Sequence, residues 1–346
     1  MWATIFEKLT ANQDLLANEI VFAMTEILSG NASEDEIRNF LLGMKNKGER
    51  TEEVRALVDV MYQHTTLIDI PDRTVDTVGT GGDGFNTINI STSAAIVTTA
   101  AGARVIKHGN RAASSASGAA DLLEELGIEI SLDASGVKEC VRKIGIGFAF
   151  APKFHPAMRF AAPVRKALGI PTVFNVLGPL ANPARPKAVA IGVARSEMFE
   201  LVARVLAARG NEGFVFRGLE GLDEISISGP TEIIQVHDGE MRKSLFDPRE
   251  IGIQPIALSE IKGGSAKENA AITRDVFRGS DGGAREAILL NAAAAIAAFK
   301  GEFKLPIENQ IANGYALAKG AIDSGRASEL VQRWRDLSKE LAKSSL

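Results

Sequence analysis

Two short segments hold residues whose types and spacing suit chemistry. Asp76-Thr77-Val78-Gly79-Thr80-Gly81-Gly82-Asp83-Gly84 is nearly bare backbone with one carboxylate at its tip. About one helix later comes Lys107-His108-Gly109-Asn110-Arg111, followed by Ala112-Ala113-Ser114-Ser115. Here three potential cations and an amide stand side by side. Backbone N–H groups wrap an anion only where no side chain obstructs them, and this is the use of the glycines. A bare backbone loop facing a cationic loop suits a large phosphorylated substrate with a bound metal.

Gly79, Gly81 and Gly84 satisfy G-x-G-x-x-G, but the context of a dinucleotide site is missing. That fingerprint opens a helix at once and is followed, about 20 positions on, by an acidic residue. Here the next helix is expected near Ser91, and residues 99–105 read Thr-Ala-Ala-Gly-Ala-Arg-Val, without a carboxylate. No G-x-x-x-x-G-K-[ST] loop is present either. In Asn86-Thr87-Ile88-Asn89-Ile90-Ser91-Thr92-Ser93, Ser91 or Thr92 is the expected N-cap, and Gly102 ends the helix. A helix N-terminus this close to a glycine loop adds oriented donors and a favourable dipole for phosphate. The Lys107 segment is expected as a loop ending a strand at Arg104-Val105-Ile106, where open α/β sheets place their sites. Lys107 and Arg111 suit phosphate, and Asn110 both donates and accepts. Ser114, Ser115 and Ser117 add hydroxyls before a helix starting near Gly118.

The elements that must position these segments follow from periodicity. Residues 1–69 read as helices only, with Leu9, Leu15, Leu16, Ile20 and Met24 at helical spacing. Ser33-Glu34-Asp35-Glu36 is a capping box opening a helix to about Lys47, Glu52 to Tyr62 is another amphipathic stretch, and Pro71 closes the region. Beyond it, short β-branched runs alternate with helical patterns: Arg104–Ile106, Ile128-Glu129-Ile130, Val189–Val193 and Phe214-Val215-Phe216. That alternation predicts an α/β domain with a central, largely parallel sheet flanked by helices. Ala292 to Ala298, nearly all Ala and Ile, predicts a buried helix, and Pro156 to Leu168 a further one.

Composition excludes several classes. The chain has 346 residues, 45% hydrophobic, with net charge −4. The pI is about 5.8, so no general basic field for nucleic acid exists. The single Cys140 rules out a disulfide framework within one chain and fits a reducing cytosol. No run approaches the roughly 18 apolar residues of a membrane span. Met1 to Lys8 lacks a basic segment followed by an apolar one, so no signal peptide is expected. His64 and His237 read as a helix end and a turn, and Cys140 as an inert helical residue.

In order along the chain, Asp-x-x-Gly-Thr-Gly-Gly-Asp, Asn-x-Ser-Thr and Lys-His-Gly-Asn-Arg closely resemble the anthranilate phosphoribosyltransferase family of tryptophan biosynthesis. The resemblance continues through Phe154-His155-Pro156-Ala157-Met158-Arg159, Pro163-Val164-Arg165-Lys166, Thr172 to Pro183, and Gly221-Leu222-Asp223-Glu224. It implies a small helical domain (1–69, with helices near 155–175 packing on it) and an α/β domain (70–346). Further implications are a homodimer through the helical domain and a cytoplasmic enzyme. The implied reaction joins anthranilate to phosphoribosyl pyrophosphate (PRPP), giving N-(5-phosphoribosyl)anthranilate and pyrophosphate. Alternatives are a pyrimidine-nucleoside phosphorylase, which would need neither a metal pair nor a carboxylate clamp, and a non-catalytic nucleic-acid-binding relative, which should be basic.

The resemblance also implies site residues. PRPP would be held by Gly79, Gly82, Asp83, Thr87, Asn89, Ile90, Ser91, Thr92, Lys107, His108, Gly109, Asn110, Arg111, Ala112, Ala113, Ser114, Ser115 and Ala119. Anthranilate would meet Gly79, His108, Asn110, Arg165 and Gly178. Two Mg2+ ions per monomer would be bound by Ser91, Asp223 and Glu224, with Asp83 holding the glycine loop or a metal-bound water. A guanidinium at Arg165 can grip a carboxylate bidentately. The aryl amine is neutral near pH 7, so His108 is expected to orient it rather than act as an obligate base. Many members carry Ser where this chain has Ala119, and a basic residue at the position of Ala116. Both departures point to a higher apparent KM for PRPP.

Overall fold

The computed structural model describes residues 1–112 and 116–344. Four helices come first: α1 (Trp2–Thr10), α2 (Ala17–Ser29), α3 (Glu34–Lys47) and α4 (Thr51–Gln63). Ser33 opens α3 through the expected box, its hydroxyl accepting from Glu36 N–H while the Glu36 carboxylate accepts from Ser33 N–H.

The larger part begins with β1 (Val75–Gly79), α5 (Ile90–Ala100), β2 (Val105–Gly109), α6 (Ala119–Glu125), α7 (Ala134–Ile144) and β3 (Ile146–Phe150). Three short helices follow, α8 (Ala151–Phe154), α9 (Ala162–Leu168) and α10 (Phe174–Leu180). Then come β4 (Ala188–Gly192), α11 (Ser196–Ala208), β5 (Glu212–Gly218), β6 (Thr231–His237) and β7 (Glu240–Phe246). Four helices close the chain: α12 (Ala266–Phe277), α13 (Gly283–Lys300), α14 (Ile307–Asp323) and α15 (Arg326–Ser344).

The strands form one sheet in the order β3-β2-β1-β4-β5-β6-β7. The first five run parallel and the last two pair antiparallel, so the sheet is largely parallel as expected. Alternate residues face two cores. Ala188, Ala190, Phe214 and Phe216 join α5, α13, α14 and α15 on one face. Val189, Ile191 and Val215 join α11 and the N-terminal helices on the other, together with Val164 and Val173 to Leu177. The Ala292–Ala298 run is buried inside α13, as its composition predicts.

Several elements differ from the sequence reading. Asp76 to Gly79 is strand rather than loop, and β2 continues through Lys107 and His108 to Gly109. Strands covered on both faces show no alternation, and a charged residue masks them further. Ile128 to Ile130 is not a strand: Glu129 N–H bonds the Ser338 hydroxyl of α15 instead of a neighbouring strand. Helix α5 starts at Ile90, with Asn89 rather than Ser91 or Thr92 as N-cap, and the Asn89 side chain makes no capping bond because Ser117 and Asn269 hold it. The predicted helix from Pro156 breaks into a 3-10 turn, Pro156–Phe160, and α9, whose first turn holds Pro163. His237 ends β6 rather than lying in a turn. No helix among the described residues is long and apolar enough to cross a membrane.

Candidate active site

Strands β1 and β4 lie side by side where the strand order reverses, with Gly79 opposite Gly192. Clefts at such switch points are the usual binding sites of open α/β sheets. The segment carrying Asp223 and Glu224 lies directly over these two strand ends. A Cβ at Gly192 would sit 1.7 Å from Asp223 O, and one at Gly79 would sit 2.3 Å from Asp223 Oδ2. Gly81 N–H donates to Asp223 Oδ2 at 2.6 Å, and Gly81 and Gly82 hold φ of 67° and 80°. At least one donor of the glycine loop therefore serves a carboxylate of the same chain. Asp83 closes the loop by accepting from Phe85 N–H at 3.1 Å.

Both members of the acidic pair are buried, at 7% and 8% exposure, unlike a solvated surface pair. Burial, then the charge of Asp83 alongside, pushes Asp223 up to about 7. Burial, then Asp223, raises Glu224 well above the usual carboxylate range, while Lys107 and a hydrogen bond from Ser91 N–H oppose the rise. Lys107 is fully buried in β2. Its ammonium donates to Thr77 O at 2.7 Å and Ser91 Oγ at 3.3 Å, and Asp76 and Glu224 supply counter-charge. Glu224 and Asp76 thus share one ammonium, while Asp223 and Asp83 crowd Glu224 with like charge. A divalent cation with hard oxygen ligands fits this deficit, and Asp223, Glu224 and the Ser91 hydroxyl are donors of the kind Mg2+ takes.

His108 lies next to Lys107 on β2. Its Nδ1–H donates to Gly178 O of α10 at 2.9 Å, since a carbonyl only accepts, so Nε2 carries the lone pair. That Nε2 is buried with no hydrogen-bond partner among the described residues. Its backbone N–H donates to Asp76 Oδ1 at 3.3 Å, and Asn182 Nδ2 holds Asp76 Oδ2 at 2.8 Å. Burial, then the His155 ring 5.0 Å away, holds the His108 pKa down to about 3. His155, which accepts from or donates to the Thr65 hydroxyl at 2.8 Å, is lowered by burial to about 4.

Both histidines are neutral in the folded chain and bind protons more readily once unfolded, near pH 6.5. Stability is therefore lost as pH falls from about 6.5 toward 4. Urea midpoints measured across this range should drop more steeply for the wild type than for His155→Asn. Equal slopes would contradict the neutral assignment of His155.

Arg165 sits half-buried on α9, its guanidinium 5.5 Å from the Phe174 ring centre on α10, the helix whose Gly178 meets His108. Burial lowers its pKa. It makes no ion pair among the described residues, which is unusual for a guanidinium removed from water.

The remaining predicted residues line the loops around β1 and β2. Thr87 bridges Lys262, and Ile88 N–H donates to Ile261 O at 2.9 Å. Ile90 and Thr92 are buried in the first turn of α5. Asn89 donates to Ser117 O at 3.0 Å, while its Oδ1 accepts from Ser117 Oγ at 3.0 Å and Asn269 Nδ2 at 2.9 Å. Asn110 Oδ1 accepts from Arg111 N–H at 2.7 Å. The Arg111 side chain turns to Asp121 and Glu124 of α6 at 2.9 and 2.6 Å, so in this state it braces its own loop. Asp121 Oδ2 also accepts from Ala112 N–H and Gly118 N–H. Ala119 Cβ lies where a side chain at Gly109 would clash, at 3.0 Å. Ala113, Ser114 and Ser115 lie outside the described residues.

Sequence reasoning gave no role to Asp76, Asn182 or Asn269. The first two stand inside quoted motifs, which was the available signal. Asn269 has none, because its partner Asn89 is 180 residues away. Glu212, His237 and Asp238 also come within metal-ligand spacing, but Glu212 is already paired with Arg73 at 2.8 Å and Lys187 at 3.4 Å.

Comparison with known proteins agrees with this architecture. The family described as glycosyl transferase family, helical bundle domain, matches residues 3–65, and its a/b domain matches residues 71–328. The anthranilate phosphoribosyltransferase of Rhodococcus jostii (strain RHA1) is 50% identical over 343 residues, covering 99% of this chain and 95% of its own. That of Nocardia farcinica (strain IFM 10152) is 47% identical, covering 96% and 98%. The crystal structure of the Thermus thermophilus enzyme superposes with a TM-score of 0.89 at 36% identity, covering 97% and 99%. The Saccharomyces cerevisiae enzyme in complex with PRPP and Mg gives a TM-score of 0.88 at 29% identity, covering 98% of each chain. With helical bundle, α/β domain and full-length relatives in agreement, the chain belongs to the anthranilate phosphoribosyltransferase family.

Proposed function

We propose that this enzyme transfers the phosphoribosyl group of PRPP to the amine of anthranilate, releasing pyrophosphate, the second step of tryptophan biosynthesis from chorismate. The observation that carries the reading is the buried Asp223-Glu224 pair, short of positive charge, over the ends of β1 and β4 beside the strand β2 that carries Lys107 and His108. Support for the substrates comes from the yeast relative's structures with PRPP and Mg and with 4-fluoroanthranilate.

In this reading the anthranilate nitrogen attacks C1′ as the bond to pyrophosphate breaks. Loss of a proton from nitrogen completes the product. Asp223, Glu224 and Ser91 would hold Mg2+, two ions per monomer, and the bound metal neutralises charge on the leaving pyrophosphate. Gly79, Gly82, Asp83, Thr87, Asn89 to Thr92 and the Lys107–Ser115 segment with Ala119 would bind PRPP. Arg165 would clamp the anthranilate carboxylate, with Gly79, Asn110 and Gly178 beside the ring. Neutral His108 offers its Nε2 lone pair to the amine N–H. With a pKa of about 3 it is a weak base and serves to orient the nucleophile. The helical part, 1–69, and the α/β part, 70–346, are proposed as two domains, the first forming a homodimer interface. The cytoplasm is the proposed compartment.

The test is anthranilate fluorescence with PRPP. It should fall only when enzyme, PRPP and Mg2+ are all present. No loss under those conditions, with PRPP bound, would overturn anthranilate as the acceptor.

A further inference from the structure

Helix α13 carries a lone amide in the apolar run Ile288-Leu289-Leu290-Asn291-Ala292-Ala293-Ala294-Ala295-Ile296. Asn291 is fully buried, at 0% exposure. Burying an amide is costly unless its polar atoms find partners. Asn291 Oδ1 accepts from Ile225 N–H at 2.8 Å, and Nδ2 donates to Ile225 O at 3.3 Å and to Ala287 O at 2.9 Å. The first two contacts engage both polar groups of one residue, as a neighbouring strand would. The third ties the side chain to its own helix.

Ile225 directly follows Glu224. On its far side, Ser226 N–H donates to Thr231 Oγ1 at 3.0 Å. Before it, Asp223 O rests where a Cβ on Gly192 would clash. The acidic pair therefore lies between a strand end and the amide on α13. A helix filling space alone would carry another Ala or Leu at this position and leave Ile225 unpaired.

We infer that Asn291 is a positioning residue: its two-point hold on Ile225 fixes the backbone from which Asp223 and Glu224 present their carboxylates to the metal. The inference rests on the metal role proposed for that pair. Two carboxylates on adjacent residues reach bound metal together only if the backbone between them is held.

Asn291→Leu removes both bonds at similar volume. Mn2+ binding in the presence of PRPP, read by electron paramagnetic resonance without anthranilate, should weaken about tenfold. The Mg2+ concentration for half-maximal rate should rise by a similar factor, while KM for anthranilate stays within about twofold, since Arg165 and His108 sit on other elements. Should the Leu variant fail to fold, Asn291→Asp, which keeps an oxygen acceptor for Ile225 N–H, is read against the same expectation. A folded variant binding Mn2+ within about twofold of wild type would overturn the inference, whatever its melting temperature. Asp223→Asn with Glu224→Gln separates the two ideas. If that variant loses Mn2+ and Asn291→Leu does not, the positioning role fails alone. If it retains Mn2+, the metal reading itself fails.

Discussion

Asp223→Asn combined with Glu224→Gln lowers turnover at saturating PRPP and anthranilate by about a thousandfold, without unfolding the protein. The loss is large because the pair is the concentrated negative charge of the site and the proposed seat of Mg2+. The fold survives because both backbone donors keep an acceptor: Gly81 N–H and Ser91 N–H can bond an amide oxygen as they bond a carboxylate. Removing two buried, mutually repelling acids also relieves a cost. The melting temperature without ligands should therefore be unchanged or higher. PRPP with Mg2+ should raise it for the wild type and not for the variant, because only a ligand that binds the native state stabilises it. Full activity in the variant would place the metal elsewhere.

The second large effect is at the other end of the site. Arg165→Ala should raise KM for anthranilate about a hundredfold, with KM for PRPP within about twofold. The guanidinium is half-buried over Phe174 and has no carboxylate partner among the described residues, which leaves it free for the substrate carboxylate proposed above. Arg165→Lys keeps the charge but not the planar fork, and should remain about tenfold short of wild type. Because the native arginine is unpaired, neither variant should lower thermal stability much. Equal losses for the two substrates, or complete rescue by lysine, would show that Arg165 supports the fold of α9 rather than gripping a carboxylate.

The contrast between these residues and the ones that hold them explains what could be read in advance. Gly79 to Asp83, Lys107 to Arg111 and Asp223-Glu224 are contiguous, and their chemistry follows from residue type. Their state does not. Lys107 reads as a phosphate-binding loop cation, yet it is a buried strand residue whose ammonium bonds Thr77 O and Ser91 Oγ. Arg111 reads as a phosphate-binding cation, and in this structure Asp121 and Glu124 engage it. Asp223-Glu224 reads as a metal-binding pair, and only the structure shows it buried over two glycines.

The sequence by itself determined the helical start, the alternating α/β remainder, the buried Ala-rich helix and the list of groups able to meet phosphate, carboxylate and metal. These depend on local periodicity and residue chemistry, which survive in a linear string. Only the tertiary structure decided that β1 and β4 adjoin, that Asn182 reaches Asp76 across 106 residues, and that Asn291 holds Ile225 across 66. The same holds for the proton affinities of Asp223, Glu224 and His108. Burial and the approach of distant charges set them, and neither quantity exists until the sheet has brought those segments together.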